Sequence, residues 1–356
     1  MSVLQGFIGR LAAGNHLNAQ EISASVEQLI DETISPELKA DFLCGLALKG
    51  ETVDEITAFA RALRDKSITP EIASEWRQAN EILDVCGTGG DRLNTFNIST
   101  TAALVCAAAG VPVAKHGNRA ITSQAGSADV LEALGVPVDL RSEAAVESLQ
   151  THGFAFFFAP NYHPAFKHIG PARKVCAGRG RRTIFNFLGP LLNPARPTAQ
   201  LVGVPRPELC ESLARVLQGL GVRRGMVVSG RVQSDLANPS EGTFLDELST
   251  LGPNTIAEFY QERGFTVSQN DTTQFDLQPA TLADLAGSDA KSNAAIVLKL
   301  LHGEERGPKR DAVLLNSAAA LFVANRVRTL IDGWELAAEV LKSASAARKL
   351  EQLRGS

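Results

Sequence analysis

The sequence predicts an α/β fold: a small N-terminal α-helical domain, then a large α/β domain with a mostly parallel central sheet flanked by helices. Three observations carry this. Residues 1–70 read as helix only, with capping signals that repeat. From Ile82 onward, short β-branched runs alternate with helical stretches, which is the pattern of parallel strands joined by crossover helices. A chain of 356 residues also exceeds the size at which single cores usually split. We therefore place the helical domain at 1–72, joined by a helical segment near 171–188, and the α/β domain at 73–356.

The elements follow in order. Asn18 stands three residues before Glu21 and Thr52 three before Glu55, each a capping-box spacing, and Ser35 precedes Pro36 at a first helical position. Phe42, Leu43, Leu46 and Leu48 recur at helical spacing, and Gly50 is placed to end that helix. Four short helices result. In the second part, "VPVAKHG", "FAFFFAP", "AQLVGV" and "GMVVSG" read as strands. A helix over 101–109, nearly all Ala and Cys, can lie close to a sheet, and Gly110 would end it. The stretch 187–197, "FLGPLLNPARP", is too rich in proline and glycine for a regular element and reads as a hinge or linker. Two amphipathic helices, over 311–327 and 334–353, close the chain.

Composition narrows the function. Lys and Arg number 35 against 39 Asp and Glu, so nothing general favours nucleic acid or an anionic membrane as a partner, and any anion site must be local. No window is apolar for long enough to span a bilayer, and the start lacks a signal pattern, so a cytoplasmic location is expected. The five cysteines, Cys44, Cys86, Cys106, Cys176 and Cys210, show no C-x-x-C pair and are expected to be buried thiols.

Chemistry concentrates at "DVCGTGGDRLNTFNIST", 84–100. Glycines directly after a strand let backbone N–H groups approach an oxyanion, and phosphate is the usual guest. The fingerprints of P-loops and of dinucleotide folds are both missing. Thr95, Asn97, Ser99 and Thr100 stand where the next helix begins, adding free N–H groups and a positive dipole end. Four polar side chains exceed what one cap needs.

In "AKHGNRAITSQAGSADVLEALG", 114–135, a Lys, a His, an Asn and an Arg crowd the end of a strand, where open α/β sheets bind ligands. Lys115 suits phosphate as a point charge, while His116 could donate, accept or merely pack. Ser127 would cap a helix terminated by Gly135. Further on, "FLDELSTLGP" sets Asp246 beside Glu247. A carboxylate pair opposite a diphosphate is the usual protein contribution to Mg²⁺.

Together with "FAPNYHPAFKHIGPARK" and "RTIFNFLGPLLNP", these stretches resemble, in order and spacing, the motifs of the anthranilate phosphoribosyltransferase family over nearly the whole chain. The resemblance implies transfer of the 5-phosphoribosyl group from phosphoribosyl pyrophosphate to anthranilate, the second step of tryptophan biosynthesis from chorismate. It implies Mg²⁺, two ions with the diphosphate bound, and a homodimer formed through the helical domains.

Carried over residue by residue, the resemblance makes Gly87, Thr88, Gly89, Gly90 and Asp91 the loop around diphosphate and ribose. Thr95, Asn97, Ser99, Thr100, Lys115 and Ser127 become further phosphoribosyl-pyrophosphate contacts. Gly87, His116, Gly117, Asn118, Gly189 and Pro190 would border anthranilate, and Arg173 would receive its carboxylate. Ser99, Asp246 and Glu247 would hold the metal. No single essential acid or base is expected, and His116 is the one candidate. Pyrimidine nucleoside phosphorylases share the fold, but "KHGNR" and "LDELS" resemble them less. Two departures stand out: extra residues between Arg173 and "RTIFN", and a long stretch before Phe244 that could shift Asp246 and Glu247.

Overall fold

A computed structural model of the chain describes residues 2–120, 124–233, 242–260 and 264–355. Four helices open it: α1 (Val3–Ala12), α2 (Ala19–Ile30), α3 (Pro36–Lys49) and α4 (Val53–Asp65). Their starts follow the expected chemistry. Asn18 and Thr52 each form a capping box, and Ser35 accepts from Leu38 N with Pro36 in the first turn. Each such cap stabilises by about 1 kcal/mol. Gly50 ends α3 at φ 87°, a conformation that favours glycine.

After α5 (Ser74–Ala79), the chain runs β1 (Leu83–Gly87), α6 (Ile98–Ala108), β2 (Val113–Gly117), α7 (Ser127–Ala133), α8 (Ser142–His152), β3 (Phe154–Phe158), α9 (Ala159–Tyr162) and α10 (Gly170–Gly178). Then come β4 (Ala199–Gly203), α11 (Glu208–Gly219), β5 (Arg224–Val232), β6 (Thr243–Leu245), β7 (Asn254–Tyr260) and β8 (Gly264–Asn270). Helices α12 (Ala290–Leu301), α13 (Pro308–Val323), α14 (Leu330–Lys342) and α15 (Ser345–Arg354) finish the fold. The sheet order is β3-β2-β1-β4-β5-β7-β8, with β6 also on β5. β1 to β5 are parallel, while β6, β7 and β8 add antiparallel.

This topology positions the site. β1 is followed by β2 on one side of it, and β4 enters on the other, so the strand order reverses between β1 and β4. Ligands of open α/β sheets bind in the crevice beyond the carboxyl ends of strands at such a switch point. Gly87 and Gly203 are those ends, paired in register.

One face of the sheet is covered by α6, α7 and α12 to α15. The other shares a single buried cluster with α1 to α4, α10 and α11, in which Phe42, Phe59 and Leu63 join Val202, Val227 and Phe259. All five cysteines are buried free thiols.

Three expectations need correction. The stretch 187–197, expected as a hinge or linker without a regular element, contains a 3₁₀ turn over Gly189–Leu192, and Pro190, Leu191, Leu192 and Asn193 are buried. Ser127 is the first residue of α7 and not its cap. Gly126 takes the cap position, where a Cβ would meet Ala120 N at 2.5 Å, and Asp129 accepts its N–H. From residue 308 onward the described residues form three helices, where two were expected. α13 ends earlier than expected and is buried almost all round, and the second expected helix breaks at Ala344, φ 55°, so that α15 can turn onto α6 and α12. Nothing in "KSASAA" marks that break as a loop.

Candidate active site

Between β1 and α6 the chain makes the expected glycine turn. Thr88 N continues the ladder to Gly203 O at 2.9 Å, and Gly89 and Gly90 then take φ of 74° and 90°. Arg92 and Asn94 also lie at positive φ, a strain of about 1–3 kcal/mol each in non-glycine residues. Residues 94–96 are strapped down by Gly287 N on Asn94 O and by Phe96 N on Leu285 O, with Thr95 bridged to Ala286. Asn97 precedes α6, its amide donating to Ala125 O and its oxygen accepting from Asn293. Ser99 and Thr100 fall in the first turn of α6. Thr100 is folded into the core at 1 % exposure.

The acidic pair, more than a hundred residues away in sequence, is docked on this turn. Asp246 Oδ2 accepts from Gly89 N at 2.6 Å, and Glu247 Oε1 accepts from Ser99 N at 3.1 Å. The approach depends on missing side chains: a Cβ on Gly87 or on Gly203 would collide with Asp246. β6 leads into the pair: Leu245, the residue before Asp246, pairs with Gly230 of β5. Residues 234–241 of the long stretch before Phe244 lie outside the described residues.

Negative charge is in excess here. Burial, and then the charges of Asp91 and Glu247, push the Asp246 carboxyl well above the usual range. Burial raises Glu247 to about 7, against the pull of Lys115 and its hydrogen bonds to Ser99. Lys115, 2 % exposed on β2, donates to Val85 O at 2.6 Å and is the neighbouring cation. Among the described residues no three His, Cys, Asp or Glu side chains form a ready cage. A carboxylate pair short of positive charge fits Mg²⁺, which takes one or two carboxylates and completes its shell with phosphates and water.

The end of β2 turns to the other pole. His116 is 8 % exposed, and burial followed by the neighbouring His163 lowers its pKa to about 3, so the ring is neutral. It bonds the Gly189 carbonyl, and its Nε2 finds no partner among the described residues. Gly117 lies against Ser127, where a Cβ would collide with Oγ, and Asn118 O accepts from Ala128 N. Pro190 O accepts from Gln200 at 3.0 Å.

Arg173 on α10 stands apart, reached from His116 through a chain of rings. His116 meets His163 at 5.3 Å, His163 meets Phe166 at 5.0 Å, Phe166 meets Phe185 at 5.9 Å, and the Arg173 guanidinium lies 5.6 Å from the Phe185 ring. Its pKa is lowered by burial, and no carboxylate offsets that. A half-buried guanidinium on an aromatic wall is suited to an incoming carboxylate. In the stretch after Arg173, where extra residues were expected, Arg179 pairs with Asp41 and Arg182 reaches Gly90 O at 3.5 Å.

Several site residues escaped the sequence reading. Asp84, fully buried on β1, accepts from Asn193 Nδ2 at 2.9 Å and from His116 N at 3.4 Å. Asn193 also donates to Ala114 O. The signal was there to find: an aspartate inside "ILDVC", between apolar residues, needs a buried partner. His163 sat within a quoted motif without a role.

Comparison with known proteins agrees with this geometry. Residues 79–347 match the family model described as glycosyl transferase family, a/b domain, and residues 5–67 match its helical bundle domain. The chain is 44 % identical over 354 residues to anthranilate phosphoribosyltransferase of Pelotomaculum thermopropionicum, covering 99 % of this chain and 96 % of that one. With the Moorella thermoacetica enzyme of the same name it shares 45 % over 354 residues, covering 99 % and 97 %. Among solved structures, the anthranilate phosphoribosyltransferase of Thermus thermophilus superposes with a TM-score of 0.86 at 39 % identity, covering 100 % of this chain and 99 % of that one. The Saccharomyces cerevisiae enzyme, in complex with PRPP and Mg, gives 0.84 at 26 % identity, covering 99 % and 97 %. The chain belongs to the anthranilate phosphoribosyltransferase family.

Proposed function

We propose that this chain transfers the 5-phosphoribosyl group from phosphoribosyl pyrophosphate to anthranilate, giving N-(5-phosphoribosyl)anthranilate and pyrophosphate with Mg²⁺, in tryptophan biosynthesis. The observation that carries the reading is the docking of Asp246 and Glu247 onto the glycine turn and the start of α6. It joins an anion-binding nest to a metal-binding acid pair at the switch point of the sheet.

The family resemblance assigns the roles, and the geometry above supports them. Gly87, Thr88, Gly89, Gly90 and Asp91 cradle diphosphate and ribose, with Thr95, Asn97, Ser99, Thr100, Lys115 and Ser127 around them. Ser99, Asp246 and Glu247 hold the metal. When bound, Mg²⁺ supplies positive charge to the leaving diphosphate. Backbone N–H groups and Lys115 act on the same charge, already aimed before the bond breaks. Gly87, His116, Gly117, Asn118, Gly189 and Pro190 border the acceptor, and Arg173 takes its carboxylate. The aromatic amine is largely unprotonated near neutral pH. A neutral His116 therefore suits orientation by hydrogen bonding better than service as an indispensable base.

The division at 72/73, a homodimer through the helical domain and a cytoplasmic location belong to the same reading. Among the described residues no helix is long and apolar enough to cross a membrane. The test is the loss of anthranilate fluorescence with purified protein, phosphoribosyl pyrophosphate and Mg²⁺. Loss that needs the diphosphate and is stopped by EDTA supports the reading. No loss from folded protein overturns it.

A further inference from the structure

Arg64 of α4 is a cation in the core. It is 6 % exposed, burial lowers its pKa to about 10, and its Nη2 finds no partner among the described residues. A buried guanidinium is costly, and an apolar side chain of similar volume would often serve stability as well or better. Its position gives it a task. Nε donates to Leu191 O at 2.5 Å, across 127 residues of sequence.

That carbonyl belongs to the turn 189–193, which borders the acceptor side. The sheet ties down much of the rest of this turn, and the His163 ring bonds the Leu192 backbone. Gln200 of β4 donates to Pro190 O, Asn193 bonds Asp84 of β1 and Ala114 of β2, and Gly189 bonds the His116 ring. Asp84 also accepts from His116 N. Among the hydrogen bonds of the described residues, the one from Arg64 is the only one that reaches this turn from helices α1 to α4.

We propose that Arg64 is a positioning residue for the acceptor: it seats the 189–193 turn against the sheet, and through Gly189 sets the His116 ring beside which anthranilate must lie. This role rests on the phosphoribosyl-transfer reading above. Among the described residues, the glycine turn, α6 and the acidic pair receive no hydrogen bond from Arg64, although the Asp84 charge on β1 reaches it. The two substrates should therefore feel its loss unequally.

The test replaces Arg64 by Met, which keeps the apolar stem, and by Lys, which keeps the charge and one donor. Steady-state kinetics with both substrates varied are read together with the melting temperature. For Arg64→Met we expect the anthranilate KM to rise by about tenfold, because a displaced turn misplaces the acceptor, while the phosphoribosyl pyrophosphate KM stays within about twofold. The melting temperature should hold or rise. Arg64→Lys should fall between Met and wild type, and it decides the matter if the Met protein does not fold. An unchanged anthranilate KM overturns the role, as do equal rises in both KM values that track a fall in melting temperature. If the wild type consumes no anthranilate, the reaction reading fails first and this role falls with it.

Discussion

The two poles of the site are electrostatic opposites. Around the β1–α6 turn, Asp91, Asp246 and Glu247 crowd together with Lys115 as the neighbouring cation, and the carboxyls of Asp246 and Glu247 resist ionisation. Around α10, Arg173 sits half-buried on an aromatic wall with no carboxylate of the described residues pairing with it. One pole lacks positive charge and the other lacks negative charge. Each deficit suits the guest proposed for it: a metal with its diphosphate at the first, an aromatic acid at the second. Neither pole is at rest as a bare protein, which is how binding energy comes to be stored as preorganisation.

The comparison breaks first at the acidic pole. Asp246→Asn with Glu247→Gln should lower kcat/KM for phosphoribosyl pyrophosphate by about a thousandfold, since both proposed metal ligands lose their charge. Normal kinetics across a Mg²⁺ titration would sink that assignment. Gly203→Ala tests the same pole through sterics alone. Its Cβ would run into the Asp246 backbone, so we expect about a tenfold to hundredfold loss in diphosphate use and about 1–3 kcal/mol lower stability in denaturant melts. A variant indistinguishable from wild type would show that the acids need no close approach.

At the opposite pole, Arg173→Ala should raise the anthranilate KM by about tenfold to a hundredfold through loss of a charged hydrogen-bonded pair, with little effect on the diphosphate. Equal changes in both KM values would erase the distinction between the poles. The smallest effect is on stability against pH. Glu247 is raised in the fold to about 7, so its protonated form is the favoured one. The stability it adds is complete below the ordinary carboxylate pKa of about 4.5 and is lost as pH rises through 7. The metal-free protein should lose a few degrees of melting temperature across that window, and Glu247→Gln should flatten the slope. An identical slope in the variant would mean that other groups set it.

What the sequence disclosed divides along similar lines. Local chemistry was legible: the caps at Asn18, Ser35 and Thr52, the glycine turn, and the helix end at Gly110 all depend on residues within a few positions of one another. The parallel core of the sheet followed from alternation. The ties at Asp84, Asn193 and Arg64 were hidden, because a buried polar side chain takes its meaning from a partner about a hundred or more residues away. Gly126 and Ala344 were missed for a related reason. Crowding at Gly126 comes from residues 118–120, and the break at Ala344 serves the docking of α15 on α6, which no local pattern encodes.

The short ladder between β5 and β6 has a further consequence. Val232 pairs with Thr243, and Gly230 with Leu245, so the hairpin is closed before the chain reaches Asp246. Closing a longer loop costs only about 0.6 kcal/mol per doubling of its length. The number of residues between those two strands and the location of the acids are therefore separate variables. The strand pairing, and not the length of chain between the two strands, sets where the chain arrives at Asp246.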